Sequence, residues 1–155
     1  MGTVNYKTGD VITLGFDVSG DVEEDYGIKE VEMMREYIED KAEDIDHEWF
    51  NIDIDGGYYE GFYLAVDKNY YTDKEMERQY KEGIISRSVL DMWRLTDEER
   101  EEIKKEAEEL RKELKTLITE SFVVCFPSWC TSYCGGIEEN NTEIDKAIDK
   151  VISEL

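Results

Sequence analysis

Proline occurs once in this chain, at Pro127, histidine once, at His47, and cysteine three times. One proline leaves nothing to build the proline-rich linkers that separate domains. The 155 residues therefore read as a single domain, 1–155, long enough to bury a core. No apolar run approaches the roughly 18 residues of a membrane-spanning helix. The opening MGTVNYKTGD has no basic region and no apolar stretch, so no secretory signal is expected. An odd cysteine count without a signal points to reduced thiols in a cytoplasm.

Positive charge is the other scarcity. The chain has 18 Lys+Arg against 40 Asp+Glu, a net charge of −22. The imbalance is lopsided: residues 1–67 hold 19 acids and 4 bases, whereas 68–120 hold 15 and 12. Such a surface repels DNA, RNA and anionic membranes and attracts basic partners. Plain solubility needs a net charge of only about 2–8 in magnitude. Salt adaptation would spread the acids more evenly. Aliphatic and aromatic residues are abundant, with 10 Tyr, 5 Phe and 3 Trp, so a folded chain is expected despite the charge.

Apolar periodicity sets the expected elements. Val11–Val18 alternates as a strand with Ile12, Leu14, Phe16 and Val18 on one face. A helix follows to about Ile45, its buried stripe being Ile28, Val31, Met34, Ile38, Ala42 and Ile45. Trp49–Asp55 alternates again, with Phe50, Ile52 and Ile54 inward and Asn51, Asp53 and Asp55 outward. Phe62, Leu64 and Val66 form the next strand. A two-residue Gly56-Gly57 turn would put Phe62 on the wrong face, so a longer loop or bulge across Asp55–Tyr59 is expected. Residues 72–93 read as an irregular helical insert broken at Gly83. Thr96 with Glu99 is a capping box opening a helix with Ile103, Ala107, Leu110, Leu114 and Leu117 inward. Phe122–Phe126 reads as a strand stopped by Pro127. Asn141 or Thr142 caps a last helix burying Ile144, Ala147, Ile148, Val151, Ile152 and Leu155.

The order β-α-β-β-α-β-α implies an α+β fold. Its first six elements fit a ferredoxin-like core, an antiparallel sheet with helices on one face, decorated by the insert and an extra C-terminal helix.

The candidate working surface is the first helix. From Glu23 to Asp46 there are 11 acids in 24 residues. That is about one carboxylate per 3.3 Å of helix, near the roughly 3.4 Å phosphate spacing along a DNA strand. Glu30, Glu32, Glu36, Glu39, Asp40, Glu43 and Asp44 fall on the arc opposite the buried stripe. Lys29, Arg35 and Lys41 dilute them. Met33 and Tyr37 lie on the same arc as apolar anchors for a protein partner, unless the 72–93 segment covers them. Asp53, Asp55 and Glu60 extend the acidic field, and Tyr59 joins the contact set.

Other chemistry is thin. Asn51-Ile-Asp53-Ile-Asp55-Gly56 starts like a calcium loop, but its twelfth position is Phe62 where a bidentate Glu belongs. Cys125, Cys130 and Cys134 lack close-paired zinc spacing. No phosphate-binding glycine loop, G-x-S-x-G or H-E-x-x-H occurs. No metal, cofactor or catalytic residue is therefore assigned. Aromatics around Trp49, Tyr58, Tyr59, Phe62 and Tyr63 would suit base stacking only without the surrounding carboxylates.

The stretches Lys7–Asp17, Asp55–Leu64 and Phe126–Tyr133 resemble small acidic proteins of phages and mobile elements. In size and charge the chain is similar to anti-CRISPR and anti-restriction proteins that mimic DNA. That resemblance implies a non-enzymatic inhibitor of a host defence nuclease, an RNA-guided nuclease ahead of a restriction enzyme. The partner would be a basic nucleic-acid-binding protein, with no direct nucleic acid and no membrane. An acidic adaptor of a mobile element is the alternative. A small enzyme or thiol-dependent sensor centred on Cys130 and Cys134 is the third reading; nothing in the sequence pairs Cys130 with His47 for nucleophilic catalysis.

Overall fold

The computed structural model describes residues 10–16, 27–55, 62–125 and 135–155. Strand β1 (Asp10–Phe16) leads to helix α1 (Gly27–Ala42), then strands β2 (Phe50–Asp55) and β3 (Phe62–Lys68). Two short helices follow, α2 (Asp73–Lys81) and α3 (Arg87–Trp93), then the long α4 (Asp97–Cys125) and the terminal α5 (Gly135–Ser153).

The sheet has the order β1-β3-β2, with β3 antiparallel to both neighbours. β3 therefore sits between the two strands that α1 connects. Ile54 lies opposite Leu64 and Ile52 opposite Val66, core face to core face. That register excludes a two-residue turn at Gly56-Gly57; the loop or bulge expected across Asp55–Tyr59 lies, past Asp55, outside the described residues.

One core joins sheet and helices. Leu64 and Val66 from β3, Met34 and Ile38 from α1, and Ile103, Leu110, Leu114 and Ile118 from α4 are buried together with Ile144 and Ile148 of α5. Ile52 and Ile54 pack against this cluster from β2. Each fully buried aliphatic side chain stabilises the fold by about 1.5–3 kcal/mol. The side chains of Ile12, Leu14, Phe16, Ile28, Val31 and Phe62, assigned to the core from periodicity, lie outside the described side chains.

Local signals set the helix starts. Thr96 and Glu99 form the reciprocal capping box, with Thr96 N–H donating to Glu99 Oε1 at 2.9 Å and Glu99 N–H to Thr96 Oγ1 at 3.1 Å. Thr72 caps α2 by accepting from Glu75 N–H at 3.2 Å, and Ser86 caps α3 by accepting from Val89 N–H at 3.3 Å. Between α2 and α3, Gly83 adopts a φ of +76°, a left-handed conformation that other residues avoid. The irregular 72–93 stretch is thus two helices hinged at that glycine.

The chain is α+β, but the ferredoxin-like circuit does not close. The stretch expected as a fourth strand, Phe122–Phe126, is helical through Cys125 as the last turn of α4. Its burial is helical too: Leu114, Leu117, Ile118, Ser121, Phe122 and Cys125 are buried at three- and four-residue spacing, while Val123 and Val124 are about half exposed. The β propensity of the valines yields to the apolar stripe around them. Helix α5 also starts earlier than Asn141, at Gly135.

Candidate functional site

The acidic arc of α1 meets β2 at its C-terminal end. Glu36, Glu39, Asp40, Glu43 and Asp44 are exposed, and Glu32 is half-buried. Asp53 is exposed on β2. The helix and the strand meet at an open hollow of about 290 Å³, where Glu39, Glu43 and Asp53 surround Ala42, Ile52 and Ile54. Glu39, Glu43 and Asp53 thus line one hollow, from segments ten or more residues apart. The backbone of Asp55 belongs to β2, and Glu30 to α1; their side chains lie outside the described set. Tyr59 and Glu60 lie outside the described residues altogether.

These carboxylates are poorly neutralised. Arg35 Nε donates to Glu39 Oε1 at 2.8 Å, and its side chain is largely covered. Among the described residues Glu36, Asp40, Glu43, Asp44 and Asp53 have no cationic partner within salt-bridge distance. The contrast lies on α4. There Arg111 reaches Glu108, Asp145 and Asp149 at 3.0, 2.7 and 2.6 Å, and Lys115 reaches Asp145 at 2.7 Å. Arg100 joins Asp97 at 2.9 Å and Asp73 at 2.5 Å. Acids on α4 and α5 are partly spent in stitching helices together, whereas on α1 Glu36 and Asp40 face solvent without a cationic partner among the described residues.

The two expected anchors part company. Met33 is 49% exposed inside the acidic arc, available to a partner. Tyr37 instead packs against the core, with its hydroxyl directed at Glu120 of α4 at 3.5 Å and Lys41 Nζ 5.8 Å from its ring centroid. The expectation that Tyr37 stands clear of the core is corrected: α4, not the 72–93 segment, covers it. A phenol is amphipathic enough to sit at that boundary. On this flank a second hollow of about 330 Å³ holds Lys41 and Lys112 as well as Asp44 and Glu120. Its mixed sign ends the acidic field there.

His47 has a role that sequence spacing did not reveal. Its side chain is 7% exposed, with Nε2 2.7 Å from Glu113 Oε1 and Nδ1 3.4 Å from Glu106 Oε1. Glu106 also accepts from the Trp49 backbone N–H at 3.2 Å. Glu106 and Glu113 are two turns apart on α4, so one face of that helix grips the α1–β2 connection. The signal was the i,i+7 pair of acids, but nothing in the sequence named its partner. This imidazole is largely buried and held between two carboxylates of α4.

Cys125 is a buried free thiol, and burial pushes its pKa up. That is the reverse of thiolate activation. Cys130 and Cys134 lie outside the described residues. Among the described residues no three His, Cys, Asp or Glu side chains are grouped to hold a metal, and no helix is long and apolar enough to cross a membrane. Comparison with protein-family models, with curated proteins and with solved structures finds no match to this chain.

Proposed function

We propose that this protein is a non-enzymatic acidic inhibitor that occupies the basic nucleic-acid groove of a cytoplasmic defence nuclease. The observation that carries the reading is a run of exposed carboxylates without cationic partners. Glu36, Asp40, Glu43, Asp44 and Asp53 stand so among the described residues, on α1, the turn after it and β2, whereas on α4 Asp97, Glu101 and Glu108 are ion-paired and Glu98, Glu102 and Glu109 are not. Exposed carboxylates along a helix and the turn after it present to a basic groove part of the field of a nucleic-acid strand. Met33 gives the charged face an apolar contact, which long-range charge alone lacks. The chain's size and acidity, like those of anti-CRISPR and anti-restriction inhibitors, direct the choice toward an RNA-guided nuclease, with a restriction enzyme second.

The test is a titration of candidate nucleases with the purified protein at several salt concentrations, with and without their nucleic acid. Binding should weaken steeply as salt rises, and the protein should compete with the nucleic acid. Binding that is indifferent to salt, or simultaneous with nucleic acid, would favour an adaptor role in which the acids serve solubility.

A further inference from the structure

The acidic hollow lies beside a strand whose outer edge carries no further strand among the described residues. In the order β1-β3-β2, β2 has a neighbour on one side only among the described residues. The direction of its backbone groups follows from two hydrogen bonds. Asn69 N–H donates to Trp49 C=O at 2.9 Å, which continues the β2–β3 ladder at Trp49. In an antiparallel pair the residues that exchange bonds alternate, so Asn51, Asp53 and Asp55 also turn their amides to β3. Ile52 and Ile54 turn theirs outward. Ile54 confirms this, since its N–H is taken by the Asp53 carboxylate at 3.0 Å and not by β3. The N–H and C=O of Ile52 and the C=O of Ile54 have no protein partner among the described residues.

We infer that the outer edge of β2 accepts an extended basic segment of the partner as an added antiparallel or parallel strand. The partner's identity as a basic protein rests on the acidic-surface reading above; the mode of docking rests on the strand. An added strand sends successive side chains to opposite sides of the sheet. On the helix side they meet Glu39 and Glu43 at the hollow, over the apolar floor of Ala42, Ile52 and Ile54. The acidic rim of that hollow suits Lys or Arg at alternate positions, with the alkyl stem on the floor and the charged head at the rim. The same charges disfavour a second copy, because pairing β2 with its own edge would bring acids together. Strand addition takes affinity from main-chain bonds and specificity from alternate side chains.

The test uses two synthetic peptides of the same alternating Lys-Val sequence, one of them N-methylated at every second amide. The protein is the full chain, followed by calorimetry and by hydrogen exchange of the Ile52 and Ile54 amides. The unmodified peptide should bind roughly tenfold or more tighter than its N-methylated twin, as expected for two or more lost backbone bonds. The Ile52 amide, which has no partner among the described residues, should gain protection on binding. Equal affinity for the two peptides would overturn strand addition while leaving the acidic-surface reading standing. Failure of both peptides to bind would count against the edge and the acidic surface together. Protection of the β2 edge that instead rises with protein concentration alone would replace the basic segment by a second copy and overturn the inference.

Discussion

Glu113 Oε1 lies 2.7 Å from His47 Nε2, and through that contact α4 holds the connection between α1 and β2. With Glu106 on the opposite ring nitrogen, the pair fixes where the acidic helix ends and the edge strand begins.

His47→Ala should therefore cost stability and not chemistry. Two carboxylates lose their shared partner at a site where the imidazole is nearly covered. The expected loss is about 1–3 kcal/mol, read from urea unfolding midpoints. Inhibition measured below the unfolding transition should persist. An unchanged midpoint would show that the contact contributes nothing, and loss of inhibition in a fully folded variant would reopen a chemical role for His47.

Acid should loosen the α4–α5 seam. Hydrogen bonds from Lys115 and then Arg111 hold the Asp145 carboxyl below its ordinary value of 3.8. Its folded pKa is thus lower than its unfolded one, and the unfolded chain takes up the proton first. The contribution is fully present above the unfolded value and is lost as pH falls through the folded one. The stability gap between the native chain and Asp145→Asn should be larger at pH 7 than below about pH 3. A gap that stays constant with pH would contradict the assignment.

Cys125 should react slowly with a thiol reagent in the folded protein and readily in denaturant. The measurement needs a Cys130→Ser/Cys134→Ser background so that one thiol reports. Burial both hides the sulfur and disfavours the thiolate. Rapid native-state reaction would reverse that reading and return attention to a thiol sensor.

Met33→Ala should weaken partner binding by roughly three- to tenfold with unfolding unchanged, because the side chain is half exposed in the middle of the acidic arc. Tyr37→Phe should act mainly through the fold, since the ring packs on the core and the hydroxyl faces Glu120. Equal affinity losses without destabilisation would show that both residues touch the partner.

Periodicity carried most of the architecture. Ile103, Ala107, Leu110 and Leu114 lie where a 3.6-residue repeat puts them, and the Thr96–Glu99 pair closes as its spacing demands. Those signals are local, so a sequence can state them. The error at 122–126 arose where two local signals disagreed. Val123 and Val124 favour a strand, and Ser121 interrupts the apolar stripe. In the fold, Ser121 is buried and its hydroxyl bonds back to the Ile118 carbonyl at 2.9 Å, so it sits inside the helix without breaking it. The acidic face of α1 was legible as a count and an arc. Its junction with Asp53, the covering of Tyr37 and the grip on His47 were not, because each depends on how separate elements dock.

The central claim is that the carboxylates of α1 bind a basic partner. Glu36, Asp40 and Glu43 are exposed and free of cationic partners among the described residues, as are Glu98, Glu102 and Glu109 on α4. Reversing either triplet to Lys changes the net charge equally, so only position differs. The deciding measurement is the affinity of each triple variant for the nuclease at two salt concentrations, with circular dichroism confirming the fold. The α1 variant should bind roughly tenfold or more weakly than the α4 variant, a difference of about 1.4 kcal/mol, and that difference should shrink as salt shortens the screening length. Equal losses from the two triplets would contradict the claim and leave α1 as a solvated face.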